Sequence, residues 1–389
     1  MYLRRSFALL FVLTCTTFLF CLSCQSIDPD SASSPDDAEP DPGTLSTRDD
    51  DPDSGGADEN FFGDNDDDSE SEEPLGDNPA LGYGSLGVKM DVIYMQEQSD
   101  FHLAYIYMPL RSQGGGPYPT LIWGHGLAGS YNPDMQAEIF LRHASRGFLV
   151  IFPNMDVPLL NLPDDAVLKS AELYLHAAQK AVDQGLADPD RIIFGGFSYG
   201  ARVAALAAAM TTRMDAAGQW PDPAACVFEA MPDFLGSPII DIPGPLPSQW
   251  AHYIDPAIPL TILCAAEDKI VPTFGVSTED WVNGAYFFSQ LRSDFAQLII
   301  LNSGSTVPDT ARHNSFLTPS PWKLDALDLW GHMKVVFGLT NYHFNSGHRA
   351  WAYGLMRSQG GWDRAGQPIV HEVWENHQGQ ITQVGFRRN

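Results

Sequence analysis

A serine between two glycines is the residue best suited to covalent chemistry in this chain. The surrounding sequence reads Gly196-Phe197-Ser198-Tyr199-Gly200. An apolar run (192–194) precedes the motif and an alanine-rich run (201–210) follows it, which predicts a strand, a sharp turn and a helix. The glycines suit a turn with no room for neighbouring Cβ atoms, and the helix N-terminus favours negative charge beside the serine. We therefore predict that Ser198 is a nucleophile able to attack an acyl bond.

Two further segments carry glycine or acidic residues just after predicted strands, and a histidine follows a third strand after a loop. They are Gly124-His125-Gly126-Leu127 after the apolar strand Leu121–Trp123, Glu267-Asp268-Lys269-Ile270-Val271-Pro272 after the apolar run 258–265, and His313 after the apolar run 296–301. An acyl-transfer site needs donors for an oxyanion, a base for the nucleophile and a carboxylate that orients the base. The chain has residues of all these types in the order serine, acid, histidine.

In this order, the segments at 124–127, 196–200 and 268–272 and His313 resemble the α/β-hydrolase superfamily over residues 85–340. The resemblance is closest to dienelactone-hydrolase-like and platelet-activating-factor-acetylhydrolase-like serine esterases. It implies an α/β fold with a mostly parallel central sheet and helices on both faces. Dienelactone hydrolases proper use a cysteine nucleophile, so their activity is not implied.

The resemblance also implies a role for each residue of the site. Ser198 is expected to be the nucleophile, His313 its base, and Asp268 the carboxylate that orients the base. The backbone N–H groups of Leu127 and Tyr199 are expected to bind the oxyanion.

Two of these assignments have an alternative in the sequence. His125 could act as the base, but it precedes the serine in the chain, and we expect it to shape its loop by hydrogen bonding. Glu267 could replace Asp268; neighbouring residues at a strand end face opposite ways, so only one of the two can reach the base. We favour Asp268 and His313.

The expected activity is hydrolysis of a small-molecule or lipid-like carboxylic ester through an acyl-enzyme intermediate, with no cofactor. An ester is favoured over an amide because the sequence shows no gating domain of the kind found in related peptidases. The alternatives are a peptidase or amidase that uses the same three residues, and a non-catalytic surface binding protein. Trp123, Tyr199, Phe274 and Trp281 are candidates to line an acyl pocket, although Trp123 suits the core better.

The N-terminus has the features of an export signal. Arg4 and Arg5 precede a largely apolar run from Phe7 to Leu22. The following Ser23-Cys24 resembles a bacterial lipoprotein cleavage site, which predicts a signal peptide at 1–24, lipidation of Cys24 and a protein anchored to the bacterial cell envelope. An uncleaved anchor and an ordinary secreted protein are the alternatives.

Residues 25–78 are predicted to be an acidic, disordered linker. Between Asp28 and Asp77 there are 20 acidic residues and one basic residue, Arg48. This segment has almost nothing to bury and so cannot offset the entropy of ordering. The rest of the chain is mildly acidic and has no basic stripe, so nucleic acid is not an expected partner. Membrane contact is expected only through the N-terminal anchor.

Cysteine and histidine spacing does not predict a metal site. Apart from Cys21 and Cys24 in the predicted signal peptide, the sequence has no C-x-x-C motif. It has no H-E-x-x-H motif, and the acidic run 64–68 lacks the spacing of an EF-hand loop. Cys226 and Cys264 could pair, but both lie in or beside predicted core strands, where free buried thiols are commoner.

The remaining sequence divides into a catalytic domain at 79–341 and a C-terminal extension at 342–389. Alternation at 86–94 and 101–108 predicts an antiparallel pair, and helical spacing predicts a helix between 163 and 185. A closing helix is expected within 322–337. Residues 231–250 are a candidate lid. The aromatic extension is expected to pack on the catalytic domain, with carbohydrate binding by its tryptophans as the alternative. The sequence does not predict an oligomeric state.

Overall fold

The computed structural model describes the greater part of residues 83–385. The described residues are 83–95, 103–110, 116–127, 133–155, 162–212, 218–233, 244, 246–275, 281–305, 310–318, 324–345, 349–353, 359–363 and 365–385. All of them belong to one compact unit, residues 62–389. The predicted signal peptide with Cys24 and the predicted linker 25–78 lie outside the described residues, as does most of the candidate lid.

A ten-stranded mixed sheet forms the centre of the described fold, and a separate two-stranded sheet joins β9 to β10. The main sheet has the order β1-β2-β4-β3-β5-β6-β7-β8-β11-β12. The strands are β1 (Gly87–Tyr94), β2 (Leu103–Leu110), β3 (Tyr118–Gly124), β4 (Leu149–Pro153), β5 (Ala187–Phe197), β6 (Ala225–Glu229), β7 (Leu260–Ala265), β8 (Ala296–Leu301), β9 (Gln359–Trp362), β10 (Pro368–Val370), β11 (Glu372–His377) and β12 (Gln380–Gln383).

The middle of the sheet is parallel and its edges are antiparallel. The six neighbouring strands from β4 to β8 form five parallel pairs. The predicted antiparallel pair β1–β2 is confirmed at one edge, where β2 also runs antiparallel to β4. At the other edge β8, β11 and β12 pair antiparallel. The fold is therefore α/β with a mixed sheet, and the expected mostly parallel arrangement holds for its centre.

Helices cover both faces of this sheet. They are α1 (Ala137–Ser145), α2 (Ala166–Asp183), α3 (Tyr199–Thr211), α4 (Pro247–Trp250), α5 (Asn283–Gln290), α6 (Lys334–Asn345) and α7 (Arg349–Tyr353), with 3₁₀ turns at 133–136, 251–253 and 313–316 and a π-helix at 327–333. One buried cluster joins the sheet to α2, α3 and α5, and the other joins it to α1, the π-helix, α6 and α7. The predicted helix between 163 and 185 is confirmed as α2.

The central strands are long apolar runs because side chains on both of their faces are buried. In β7, Ile262 and Cys264 belong to one buried cluster while Leu263 and Ala265 belong to the other. Parallel strands bring their carboxyl ends to one edge of the sheet. The ends of β3, β5, β6, β7 and β8 therefore meet at the edge where the sequence predicts the site.

The C-terminal segment contains two antiparallel pairs, β9–β10 and β11–β12, and the second pair extends the main sheet. Strand β11 pairs with β8, with Trp374 opposite Leu298, and β12 folds back on β11 as a hairpin. Within the described residues, no helix has both the length and the apolar character needed to cross a membrane.

Candidate active site

Ser198 lies on a sharp turn between β5 and α3. Its φ and ψ angles are 54° and −119°, and its N–H donates to the Glu229 carbonyl at 2.8 Å. A positive φ is uncommon for a residue other than glycine. The side chain is 8% exposed. The turn therefore holds the hydroxyl in a fixed, mostly buried position at the carboxyl edge of the sheet.

Three glycines make the close approach around this turn sterically feasible. A Cβ on Gly200 would lie 2.1 Å from the Gly124 carbonyl carbon and oxygen, and one on Gly196 would lie 2.5 Å from the Gly200 carbonyl. Such distances are far below van der Waals contact, so a side chain at either position would move the backbone. The glycines at 196 and 200 are thus required by packing between β5, α3 and the loop after β3.

The structure brings Ser198, His313 and Asp268 together in a hydrogen-bonded chain. His313 Nε2 is 3.0 Å from Ser198 Oγ, and His313 Nδ1 is 2.8 Å from Asp268 Oδ2. These distances suit proton transfer from the hydroxyl to the imidazole, with the carboxylate orienting the ring. His313 begins the 3₁₀ turn at 313–316, and its ring packs against Phe197, with centroids 4.8 Å apart.

Asp268 is fixed by the backbone that follows it. Its Oδ1 accepts the N–H groups of Ile270 and Val271, both at 2.8 Å, which leaves Oδ2 for His313. The neighbouring Glu267 is exposed and accepts a hydrogen bond from Ser303 at 2.6 Å. Of the two adjacent acids, only Asp268 contacts the histidine, as strand alternation predicts.

The backbone groups expected to bind an oxyanion lie on two segments that abut. Tyr199 is the first residue of α3, where N–H groups have no partner within the helix. Leu127 is half-buried and packs on the core, in the loop that follows Gly124. A Cβ on Gly200 would lie 2.6 Å from the His125 backbone nitrogen, so this loop packs directly on the first turn of α3.

His125 is held in a structural role by hydrogen bonds to the backbone. Its Nδ1 is 2.7 Å from the Gly126 carbonyl, and its Nε2 accepts the Met155 N–H at 3.0 Å. These two bonds require a neutral ring protonated on Nδ1. Burial lowers its pKa to about 4, which favours the same neutral form. Both ring nitrogens are thus engaged in shaping the loop.

The candidate pocket residues divide into buried and half-buried pairs. Trp123 and Tyr199 are fully buried, and the Tyr199 hydroxyl lies 3.0 Å from Ser170 Oγ. Burial raises the pKa of Tyr199 to about 12. Phe274 and Trp281 are half-buried and face each other through a β-bridge. Of these four residues, only Phe274 and Trp281 have exposed surface that an acyl chain could contact.

The two core cysteines are free rather than paired. Cys226 in β6 and Cys264 in β7 are both buried, and burial raises the pKa of Cys264 to about 12. Across the described part of the chain, no group of three or more histidine, cysteine, aspartate or glutamate side chains is arranged to hold a metal ion.

One feature of this region was missed by sequence reasoning. Glu229, at the end of β6, lies 2.5 Å through Oε1 from His332 Nδ1, and both side chains are fully buried. His332 lies within the closing helix expected at 322–337, and nothing in the sequence pairs it with Glu229. An acidic residue that ends an apolar strand, as Glu229 does, is the signal that could have indicated a partner.

Comparison with known proteins does not assign a family. No protein-family model matches the chain, and no curated protein matches it significantly. The geometry of the described residues is therefore the basis for assigning a function.

Proposed function

We propose that this chain is a serine hydrolase of the α/β-hydrolase fold that cleaves carboxylic esters. The observation that carries the proposal is the hydrogen-bonded chain from Ser198 Oγ through His313 to Asp268. The chain order serine, acid, histidine also supports it, because α/β-hydrolases have this order. The glycine packing around Ser198 provides further support.

The first half of the proposed reaction forms an acyl-enzyme. Ser198 Oγ bonds to the ester carbonyl carbon while His313 Nε2 accepts the hydroxyl proton. Asp268 stabilises the imidazolium that results. Collapse of the tetrahedral intermediate breaks the bond to the alkoxy oxygen, and His313 returns the proton to the departing alcohol.

The second half repeats the attack with water. His313 accepts a proton from the water as its oxygen bonds to the acyl carbon, and then donates a proton to Ser198 Oγ as the acid leaves. In both halves, the N–H groups of Leu127 and Tyr199 stabilise the negative carbonyl oxygen. The positive end of α3 favours the same charge.

The substrate class is a small-molecule or lipid-like ester. Phe274 and Trp281 offer apolar contact for its acyl part. Since Ser198 retains little exposed surface, a substrate must bring its carbonyl into a narrow site.

We further propose that the protein is exported and anchored to the cell envelope by a lipid on Cys24. Replacement of Cys24 by serine is expected to abolish the incorporation of labelled fatty acid into the protein.

The test is hydrolysis of p-nitrophenyl esters from acetate to palmitate by the full-length protein and by Ser198→Ala. Loss of the nucleophile is expected to lower kcat by roughly 10⁴-fold or more. Ser289→Ala, at the end of α5, is the control for a serine-to-alanine change.

The same assays separate the alternative functions. An amide turned over faster than its matched ester would favour the peptidase or amidase alternative. A folded wild type that neither turns over any ester nor reacts with a fluorophosphonate would favour a binding protein.

A matched pair of variants tests the role of Asp268. Asp268→Asn removes the charge beside His313 and is expected to lower kcat by roughly 10³-fold or more. Glu267→Gln makes the same change at the adjacent position, where the side chain contacts Ser303 instead. Equal losses in the two variants would contradict the assignment.

A further inference from the structure

A second carboxylate–histidine pair lies next to the candidate active site. The Glu229 carboxylate and the His332 imidazole are hydrogen bonded at 2.5 Å between Oε1 and Nδ1, and neither side chain has exposed surface. Glu229 ends β6, and His332 lies in the π-helix at 327–333. Neither residue takes part in the reaction proposed above.

On one side, the pair is bonded to the turn that carries the nucleophile. The Glu229 carbonyl accepts the Ser198 N–H at 2.8 Å, and Glu229 is the register partner of Phe197 in the parallel ladder. A shift of Glu229 would therefore move the backbone of Ser198 directly.

On the other side, the pair contacts the turn that carries the base. The His332 ring packs edge-on against Phe316, with centroids 6.4 Å apart. Phe316 belongs to the same 3₁₀ turn as His313. The Phe197 ring lies 4.8 Å from the His313 ring and 6.1 Å from the Phe316 ring, between centroids. The pair thus connects the two turns whose separation sets the distance from Oγ to Nε2.

Stability alone does not account for this pair. Removing two ionisable groups from water is costly, and apolar replacements of such pairs are often neutral or stabilising. Among the described residues, Glu229 Oε2 and His332 Nε2 have no hydrogen-bond partner, so the desolvation cost is only partly offset. Burial raises the pKa of the Glu229 carboxyl, and the interaction with His332 opposes that rise. Short π-helical segments such as 327–333 are frequent at functional sites.

We propose that Glu229 and His332 are positioning residues for the proposed ester hydrolysis, on which this inference rests. Their hydrogen bond fixes the Ser198 turn through the Glu229 carbonyl and the His313 turn through Phe316. It thereby keeps Ser198 Oγ within proton-transfer distance of His313 Nε2. The pair touches neither substrate nor reacting atoms, so it acts on the rate of the chemical step rather than on substrate binding.

The test compares His332→Phe and Glu229→Leu, which abolish the hydrogen bond, with Glu229→Gln, whose amide oxygen can still accept it. The first two are expected to lower kcat by roughly tenfold to a hundredfold with KM within about twofold of wild type. Glu229→Gln is expected to retain more activity than Glu229→Leu. His143→Phe is the control, because it makes the same change at a fully buried histidine that is bonded to a helix carbonyl.

A second readout follows the two turns without relying on activity. Amide hydrogen exchange at 196–203 and 310–318 is expected to rise in His332→Phe, and exchange at 196–203 is expected to stay at the wild-type level in His143→Phe. A folded His332→Phe with wild-type kcat and exchange would overturn the proposal, as would an equal loss of kcat in His143→Phe. A wild type inert to esters and fluorophosphonate would instead overturn the proposed function, and the exchange data would still decide whether the pair couples the turns.

Discussion

Backbone strain at single residues concentrates on the edge of the sheet that carries the candidate site. Among the described residues, four that are not glycine have a positive φ: Ser198, Ala230 and Asn283 at 54°, 45° and 51°, and Gln378 at 54° in the β11–β12 turn. Ser198 follows β5, Ala230 follows β6, and Asn283 begins α5 beside them. Such conformations cost free energy and persist only where the surrounding structure enforces them. At Ser198 the conformation is held by the hydrogen bond from its N–H to the Glu229 carbonyl and by the close packing of Gly196 and Gly200.

The closest of these contacts predicts a severe effect for Gly200→Ala. The added Cβ would meet the backbone of Gly124, which cannot move without displacing β3 and the loop expected to bind the oxyanion. We expect a loss of stability of roughly 1–3 kcal/mol or more and loss of ester hydrolysis. Thermal unfolding and kcat measure both effects. Gly87→Ala is the control, since its Cβ would meet only the flexible Leu110 side chain; equal losses in both variants would contradict the packing explanation.

Local sequence together with the family resemblance predicted the three residues that the structure brings together. Strand alternation indicated that only one of Asp268 and Glu267 reaches the base. The resemblance of 268–272 to the acid-bearing loop of α/β-hydrolases favoured Asp268, and the chain order of that superfamily favoured His313. The pairing of Glu229 with His332 was not predictable in this way, because it joins a strand end to a helix 103 positions later in the chain. No local pattern encodes that distance. Only the folded arrangement, which places the end of β6 beside the π-helix, brings Glu229 and His332 together.

Among the elements, the C-terminal hairpin β9–β10 is hydrogen bonded to the start of the loop that leads to His313. Asp363 Oδ2, just after β9, accepts the Ser305 N–H at 2.6 Å and also the Ser305 hydroxyl. Asn302 donates from Nδ2 to the Val370 carbonyl at 2.7 Å. These bonds fix the start of the loop after β8. The position of the base therefore depends on residues that lie beyond it in the chain.

Loss of the hydrogen bonds between Asp363 and Ser305 is expected to lower kcat, although Ser198, His313 and Asp268 are all retained. Asp363→Ala should lower kcat roughly tenfold, because a small displacement of a catalytic group costs much of its rate advantage. Asp255→Ala is the matched control. Asp363 also accepts the N–H of Ala365, two residues ahead, and Asp255 accepts that of Ala257 in the same way, in an exposed turn. Steady-state kinetics with one p-nitrophenyl ester measures both. A lower melting temperature with unchanged kcat in Asp363→Ala would show that the hairpin only stabilises the fold.

The elements that sequence reasoning missed are those with weak patterns. The central strands are continuous apolar runs, and α2 has clear helical spacing. Strand β11, in contrast, reads Glu-Val-Trp-Glu-Asn-His. Its polar residues resemble a loop, yet Asn376 is buried and donates to the Phe288 carbonyl at 2.8 Å. The backbone of β11 pairs with β8, and the Asn376 side chain finds its partner in α5. Only the tertiary structure supplies these two partners.

The whole molecule buries several imidazoles, which makes its stability depend on pH. Burial lowers the pKa of His125 to about 4 and that of His143 and His371 to about 3. In the unfolded chain each titrates near 6.5. Each histidine therefore contributes stability that is fully present above about pH 6.5. That stability is lost as the pH falls toward the folded-state pKa, because only the unfolded state gains a proton.

Acid unfolding should accordingly begin well above the range in which ordinary carboxyl groups titrate. Below about pH 6, each of the three histidines is expected to remove about 1.4 kcal/mol of unfolding free energy per pH unit. Urea unfolding between pH 7.5 and 5 measures the slope. His143→Phe, whose ring can still stack on Phe337, should reduce that slope by about 1.4 kcal/mol per pH unit whatever its effect on stability at pH 7.5. His252→Phe, at an exposed position, should keep the wild-type slope. A slope that is unchanged in His143→Phe would mean that this imidazole is protonated in the folded protein, and its burial against Phe337 would then need a compensating negative charge.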